Sequence, residues 1–470
     1  MQLSFRDPDG FIFHSGDRIF RCVLPHAVTD SRLFLSSRAA AAWMAERCLP
    51  ATRVVNGDSA WQPAAAMRHA IPAEALVLEH ERIRFANYPY EWAPEMLHAA
   101  GELTLRLARE ALAADFGLKD ATPYNIMYEG PKPVFLDVLS FQKRQAREAV
   151  WRPYGQFVRT FVYPLLASRY FGLRLDEFFS VHRDGIEPER LVRLCPAWRL
   201  LLPPFLGAVT IPSVLSRRES ESPERFRPRP ARTAEEAKFL LGRLFARATH
   251  LLHRAAPRRP RADETYAGCE HSYGASEFQE KERFVADVLE RLRCSAVLDI
   301  GCHTGRFSLV AARTGARVVA IDKDPAAIGT LWNTARRDNA DVLPLVIDIA
   351  RPPGACGWAN AECPSFLDRV RGGFDGLLML ALIHHLLVNE RIPLDRIFEL
   401  AGDLTTRSAV VEYIDPVDPQ FQRIARGREA LHRDLTPGSF EAALRRHFQV
   451  VDWRQITPTR RVYVLEKRLA

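Results

Sequence analysis

The stretch SAVLDIGCHTG, residues 295–305, decides the fold of the C-terminal half of this chain. A short apolar run that reaches Asp299 is followed by the glycine turn GCHTG. Further strand-like runs alternate with helical segments after it, at 316–322, 342–348, 374–380, 408–413, 448–453 and 461–467. Strands that alternate with helices predict an α/β fold with a parallel, doubly wound sheet, which binds ligands at the carboxyl ends of its strands.

The glycine turn and two strand-ending acids indicate the class of cofactor. A dinucleotide loop reads GxGxxG, and its second glycine lets a pyrophosphate approach the backbone. Here His303 stands at that position, while Gly301 permits a tight turn and Gly305 lets a helix pack closely. Asp322 is placed to accept both hydroxyls of a ribose, and Asp348 to accept a hydrogen bond from an adenine amino group. A ligand with a ribose and an adenine but no phosphates, such as S-adenosylmethionine (SAM), fits this set.

Four motifs in order resemble those of class I SAM-dependent methyltransferases: VLDIGCHTGRFS, VVAIDKDPAAI, VLPLVIDIARP and FDGLLMLALIHHLL. The resemblance covers about residues 270–470 and implies a seven-stranded Rossmann-like sheet with one antiparallel strand. By that family's pattern, the residues around the methionine part, the ribose and the adenine are Asp299, Gly301, Cys302, Gly305, Asp322, Lys323 and Asp348. His303 stands where many members of the family have glycine.

Two histidines follow the fourth strand, at a position that faces the transferred methyl group in this fold. Methyl transfer is an in-line displacement, so catalysis needs positioning and removal of a proton from a hydroxyl acceptor. His384 and His385 are candidate bases near neutral pH; alternatively, one caps the next helix and the other packs. Glu412, which ends the fifth strand, either binds acceptor hydroxyls or satisfies a loop. Phe278 and Lys281, on a predicted helix before the first strand, are candidates to line the site.

A second motif lies in LKDATPYNIMYEGPKPVFLD, residues 118–137. The spacing of Asp120, Asn125 and Asp137 resembles the catalytic core of protein kinase-like and aminoglycoside phosphotransferase-like folds. That resemblance implies an α+β module in which Asp120 accepts the proton of an attacking hydroxyl, while Asn125 and Asp137 hold Mg²⁺ against the phosphates of ATP. A predicted hairpin at 9–23 and a long predicted helix before the motif agree with such a module.

The second motif departs from the kinase-like pattern in several places. Leu118 stands where the loop has histidine, and Val138 and Leu139 follow Asp137 where a glycine would be usual. The first 118 residues contain no lysine, so that Arg18 or Arg21 would have to clamp the phosphates, and no glycine-rich phosphate loop is visible. We therefore interpret residues 1–215 as a kinase-like module, possibly degenerate, with Mg-ATP as a cofactor only if that module is active.

Residues 216–265 are predicted to form a basic connector. Between Arg217 and Asp263 there are 13 Lys and Arg residues and 6 Asp and Glu residues, which accounts for nearly all of the net charge of +8. The flanking regions are almost neutral together, which argues against nucleic acid as a partner. An amphipathic helix is predicted inside the connector, either packed between two domains or lying on a membrane surface. Its predicted apolar stripe is Leu240, Leu244, Ala248 and Leu251.

The composition, the apolar runs and the cysteines indicate the cellular compartment of the protein. The chain of 470 residues is 47% hydrophobic and 26% charged, as is typical of globular proteins. No secretory signal or uninterrupted apolar run of membrane-spanning length is visible, so no integral membrane segment is expected. The eight cysteines form no CxxC pair and no zinc-like spacing, which predicts no metal site and free thiols in a reducing cytoplasm.

The sequence therefore predicts a kinase-like module (1–215), a connector (216–265) and a SAM-dependent methyltransferase domain (266–470). The whole layout is similar to bacterial two-part methyltransferases related to the nodulation protein NoeA, which suggests a small-molecule or saccharide-like acceptor. The predicted reaction is methylation of a hydroxyl, with the first module assisting acceptor recognition. A bifunctional kinase–methyltransferase and a non-catalytic SAM-binding scaffold are the alternatives. The sequence leaves the acceptor atom and the oligomeric state open.

Overall fold

The computed structural model describes residues 6–55, 71–215, 230–258 and 274–468. The chain divides into two compact units, which are Met1–Glu129 with Pro133–Arg258 and Gly130–Lys132 with Arg259–Ala470. The Arg- and Pro-rich ends of the predicted connector, 216–229 and 259–265, lie outside the described residues.

The first unit opens with an antiparallel sheet in the order β1-β2-β4-β3. Its strands are β1 (Gly10–Ser15), β2 (Arg18–Val23), β3 (Thr52–Val54) and β4 (Leu76–His80). Two smaller sheets follow, which pair β5 (Phe116–Leu118) with β8 (Phe141–Lys143) and β6 (Ile126–Glu129) with β7 (Lys132–Phe135). The predicted hairpin at 9–23 is present as β1 and β2, and Gly16 makes its tight turn at φ +60°.

The rest of the described first unit is mostly helical. Its α-helices are Val28–Leu35, Arg38–Ala45, Pro94–Ala113, Tyr154–Phe157, Tyr163–Phe171, Leu175–Phe179, Pro188–Leu194, Ala197–Leu200 and Ala234–Ala255. Shorter 3-10 and π-helical segments occur at Pro25–Ala27, Pro89–Glu91, Pro123–Asn125, Val138–Ser140, Val158–Val162 and Leu206–Thr210. A sheet followed by helices gives this unit the α+β character that the sequence predicts.

The helix Ala234–Ala255 belongs to the first unit. Its buried residues are Ala237, Leu241, Phe245, Ala248, Leu251, Leu252 and Ala255. The predicted stripe was wrong at Leu240, which is 43% exposed. The reason is the aromatic ring of Phe245, which packs 4.9 Å from Trp151 and thereby turns a neighbouring face of the helix toward the core.

The second unit contains a seven-stranded sheet in the order β11-β10-β9-β12-β13-β15-β14. The strands are β9 (Ala296–Ile300), β10 (Arg317–Asp322), β11 (Val342–Val346), β12 (Phe374–Met379), β13 (Thr405–Ile414), β14 (Phe448–Thr457) and β15 (Arg460–Lys467). Only β15 runs antiparallel to its neighbours. The predicted Rossmann-like sheet with one antiparallel strand is confirmed.

Helices cover this sheet, as its buried strands require. They are Ala275–Leu292, Arg306–Arg313, Pro325–Asp338, Phe366–Val370, Ile383–Val388, Leu394–Leu404, Pro419–Ala425 and Pro437–Leu444, with 3-10 segments at Trp358–Asn360 and Glu429–His432. Every residue of β9 is buried, which is why a continuous apolar run rather than an alternating one encodes it. No helix in the described parts of the chain is both long and apolar enough to cross a bilayer.

The strand order reverses between β9 and β12, since β10 and β11 lie on one side of β9 and β12 on the other. Open α/β sheets bind ligands at such a switch point, outside the carboxyl ends of the strands. The candidate site is therefore expected beside the loops that follow β9, β10 and β12.

Candidate active site

The loop after β9 has three residues in left-handed conformations. They are Gly301 at φ +75°, His303 at φ +50° and Gly305 at φ +76°. A side chain on Gly305 would lie 2.2 Å from Leu331, so this glycine allows the helix Pro325–Asp338 to pack against the loop. His303 is tolerated there because histidine enters this region more readily than most residues.

Asp322, the last residue of β10, ties two loops together. Its Oδ2 accepts a hydrogen bond from the His303 amide at 2.9 Å, and its Oδ1 accepts one from the Asp324 amide at 2.9 Å. A carboxylate has about four acceptor positions, so two remain for hydroxyl donors. The geometry therefore suits the predicted binding of a ribose.

Asp299 lies inside the sheet, where its carboxyl group is buried. Ser308 donates a hydrogen bond to its Oδ2 at 2.5 Å. Burial raises the pKa of Asp299 to about 7, although the bond from Ser308 opposes that rise. A cation such as an ammonium would favour the ionised carboxylate.

The remaining predicted cofactor residues differ in their surroundings. Asp348 lies two residues beyond the end of β11 and accepts hydrogen bonds from the Ala350 amide at 3.0 Å and from Nη1 of Arg351 at 2.9 Å. Lys323 is exposed, whereas Cys302 is buried, and that burial raises the pKa of its thiol. Cys302 therefore contributes packing, and Asp348 shares its carboxylate with an arginine.

The two histidines lie in the first turn of the helix Ile383–Val388, which is the next helix after β12, and their rings are 4.3 Å apart. His384 is buried, and its Nδ1 has no hydrogen-bond partner among the described residues. Burial lowers the pKa of His384 well below the usual histidine value. His385 is exposed, and its pKa is lowered by partial burial of the ring and by the charge of Lys323, while Asp322 raises it. Both imidazoles are therefore neutral at pH 7, and His385 is the one whose pKa the charge of Asp322 raises.

Glu412 accepts two hydrogen bonds from other residues of the second unit. Its Oε2 accepts a hydrogen bond from Nζ of Lys281 at 2.6 Å and another from the Ala381 amide at 2.8 Å. Of the two predicted roles of Glu412, this arrangement matches the one that satisfies a loop. Phe278, on the same helix as Lys281, is half-buried, and its ring lies 6.3 Å from that of Phe307.

The kinase-like residues of the first unit are partly brought together. Asp137 accepts hydrogen bonds from Nη1 of Arg21 at 2.7 Å and from the Ser140 hydroxyl at 2.5 Å. Nδ2 of the Asn125 side chain donates a hydrogen bond to the same hydroxyl at 3.4 Å. Burial and the negative charge of Asp137 raise the pKa of Asp120. Of the two candidate arginines, Arg21 is therefore the one whose guanidinium pairs with Asp137.

The other cations near this motif have their own carboxylate partners. Lys119 pairs with Asp9, and Arg18 pairs with Glu79 at 2.6 Å. No cluster of three or more His, Cys, Asp or Glu side chains that could hold a metal occurs within the described ranges.

Residues 274–351 match the family model described as tellurite resistance protein TehB, which covers the loop after β9 and the end of β10. The second unit is a methyltransferase domain. The matched segment contains Asp299, Asp322 and Asp348, three of the residues that the sequence predicts to bind SAM.

The chain is also similar to individual proteins. Nodulation protein NoeA of Rhizobium meliloti (strain 1021) is 27% identical over 471 residues, which cover 99% of this chain and 95% of that protein. The bifunctional kinase-methyltransferase WbdD is 17% identical over 45% of this chain and 43% of its own, with a TM-score of 0.31. N-methyltransferase NodS from Bradyrhizobium japonicum WM9 is 15% identical over 41% of this chain and 97% of its own, with a TM-score of 0.30.

Sequence reasoning missed two features of the methyltransferase domain. Ser308 bonds Asp299, and a lone serine on the apolar face of the helix Arg306–Arg313 was the available signal. Lys281 pairs with Glu412, 131 residues away, and no local pattern marks such a pair.

Proposed function

We propose that the methyltransferase domain transfers the methyl group of SAM to a hydroxyl of a small-molecule or saccharide-like acceptor. The observation that carries the proposal is the pair of neutral imidazoles, His384 and His385, placed directly after β12 at the switch point of the sheet. A neutral imidazole can take the proton that a hydroxyl loses when its oxygen is methylated.

The residues at the carboxyl edge fit SAM. Asp322 keeps acceptor positions for two ribose hydroxyls, since its two observed bonds come from backbone amides. Asp299 would hold the ammonium of the methionine part, and Asp348 the adenine amino group. Gly301 and Gly305 let Leu382 and Leu331 pack against the loop, since an added Cβ would lie 3.1 Å and 2.2 Å from them. When bound, SAM supplies an electrophilic methyl group on a sulfonium.

The chain's own contribution to the reaction is positioning and proton removal. His385 is exposed, so that an acceptor hydroxyl can reach it, and the charge of Asp322 raises the pKa of its ring. The proton leaves the acceptor oxygen for an imidazole nitrogen as that oxygen takes the methyl group. His384, whose ring lies 4.3 Å from that of His385, is buried.

We assign the first unit a role in acceptor recognition. The similarity to nodulation protein NoeA extends over both units, which supports a joint role for them. This unit contains the half-buried charged residues around Asp137, which can bind polar groups such as sugar hydroxyls.

Calorimetry with SAM and S-adenosylhomocysteine tests the cofactor assignment. The wild-type protein should bind both, and Asp322→Ala should bind both about 100-fold or more weakly. Incubation with methyl-labelled SAM and fractionated bacterial metabolites then tests the acceptor: the label should appear as a methyl ether. Label on nitrogen or carbon would refute the hydroxyl acceptor, and absence of cofactor binding would refute the proposal as a whole.

A further inference from the structure

Lys281 and Glu412 form a buried ion pair between two distant elements of the methyltransferase domain. Nζ of Lys281, on the helix Ala275–Leu292, lies 2.6 Å from Oε2 of Glu412, near the end of β13. The exposed fractions of their side chains are 3% and 0%. Removing two charges from water costs about as much as their attraction returns, so such a pair contributes little net stability. The role of the ion pair therefore depends on the groups that it holds in place.

Glu412 holds the turn that leads to the histidines. The same Oε2 accepts the Ala381 amide at 2.8 Å. Ala381 has φ +51°, a left-handed conformation that an alanine adopts at a cost in free energy. The turn is followed at once by the helix Ile383–Val388, so the conformation of Ala381 sets the direction in which that helix leaves β12.

Lys281 contacts the other side of the site. Its ammonium lies 5.3 Å from the ring centroid of Phe307, which follows Gly305 by two residues. The charge of Lys281 also opposes the rise in the pKa of Asp299 and adds to the fall in that of His384. One buried ammonium thus lies among the loop after β9, the turn after β12 and the end of β13.

We propose that Lys281 is a positioning residue, which acts through Glu412 to hold the turn at Ala381 and to tether the helix Ala275–Leu292 to the cofactor site. This inference rests on the proposed function, because the site it positions is the SAM site. Lys281 is 2% exposed, so its effect is exerted through Glu412 and not by contact with the acceptor.

The test separates positioning from stability. In the double variant Lys281→Met/Glu412→Gln both charges are removed, and the glutamine carbonyl still accepts the Ala381 amide. Its thermal midpoint should stay close to that of the wild type, because removing both charges leaves no uncompensated buried charge. S-adenosylhomocysteine should nevertheless dissociate from this variant about ten times faster than from the wild type, because the helix Ala275–Leu292 is no longer tethered.

A second variant tests the turn. Lys281→Met/Glu412→Leu removes the acceptor of the Ala381 amide, so this amide should exchange with solvent much faster than in the wild type and in the glutamine variant. The matched control is Arg291→Met/Asp452→Asn, which removes an exposed pair between the same helix and β14 and should leave both measurements unchanged.

Four results would count against the proposal. Wild-type dissociation rates in the glutamine variant would overturn the tether, and unchanged exchange of the Ala381 amide in the leucine variant would overturn the hold on the turn. If the wild type itself bound no S-adenosylhomocysteine, the proposed function would fail, and the positioning role of Lys281, which rests on it, would fail with it. Failure to fold in both double variants, with a folded control, would also overturn the proposal, since the pair would then serve stability.

Discussion

The carboxylate of Asp322 accepts a hydrogen bond from the backbone amide of His303 at 2.9 Å, across the gap between β9 and β10. One carboxylate therefore holds the glycine loop in place and presents its remaining acceptor positions at the switch point of the sheet. This relationship makes Asp322 the residue whose loss should affect cofactor binding most.

Asp322→Ala should weaken S-adenosylhomocysteine binding by about 100-fold or more. It removes two charge-assisted hydrogen bonds to the ligand, each contributing about 1.5–3 kcal/mol, and releases the loop at His303. Titration calorimetry measures the effect. The control is Asp338→Ala, which removes an exposed carboxylate that pairs with Arg337 and should bind like the wild type. Equal affinities of the two variants would contradict the assignment.

The affinity for S-adenosylhomocysteine should rise as the pH rises. Asp299 has a pKa raised to about 7 by burial, so its carboxyl group is mostly protonated at pH 6 and mostly ionised at pH 8. Only the ionised form can hold the ligand's ammonium, and its population increases about tenfold over that range. Asp299→Asn should remove this dependence, and an equally steep pH profile in that variant would contradict the role of Asp299.

The same carboxyl group should affect stability in the opposite direction. Its folded-state pKa lies above the ordinary value of 3.8, so the folded protein binds more protons than the unfolded chain between these two values. The contribution of Asp299 to the free energy of unfolding is thus fully present at low pH and falls as the pH rises through 7.

Neither histidine after β12 should be charged at pH 7. Burial lowers the pKa of His384 well below the usual value, and partial burial with the charge of Lys323 lowers that of His385. In proton NMR titrations, the ring signal of His385 should shift below pH 6.5 and that of His384 only at still lower pH. His384→Asn and His385→Asn assign the two signals. A midpoint above pH 6.5 for either residue would contradict its role as a neutral base.

Gly305→Ala should destabilise the methyltransferase domain by about 2 kcal/mol or more, because the new methyl group would lie 2.2 Å from Leu331 in addition to the strain of a positive φ. Gly315→Ala is the control, since Gly315 also has a positive φ but nothing lies within 4 Å of an added Cβ. Urea unfolding should show a clearly smaller loss for the control. Leu331→Ala should recover part of the loss in the Gly305 variant.

Arg21→Met should lower the thermal midpoint of the first unit by roughly 5 °C or more. It leaves Asp137, whose side chain is 15% exposed, without its cation, which costs about 3 kcal/mol. Arg53→Met breaks a pair in which the arginine is 71% exposed, so it should cost less than about 1 kcal/mol. Scanning calorimetry measures both. A rise in the wild-type midpoint with Mg-ATP that disappears in Asp137→Ala would instead favour a phosphotransferase.

Local features of the sequence determined the sheet of the methyltransferase domain. Strands buried on both faces require continuous apolar runs, and such runs are visible without knowledge of any partner. The positive φ angles of Gly301 and Gly305 were also predictable, because glycine adopts such an angle readily without help from any partner. The place of Asp322 followed from the rule that ligands bind where parallel strands end.

Only the tertiary structure decided what the other polar residues touch. Glu412 ended a strand as predicted, but its partner Lys281 comes from a helix 131 residues earlier. His384 and His385 are adjacent in sequence, yet packing buries one and exposes the other. The apolar face of the helix Ala234–Ala255 was set by the contact between Phe245 and Trp151. These outcomes depend on contacts between residues far apart in the chain, whose free energies no local pattern records.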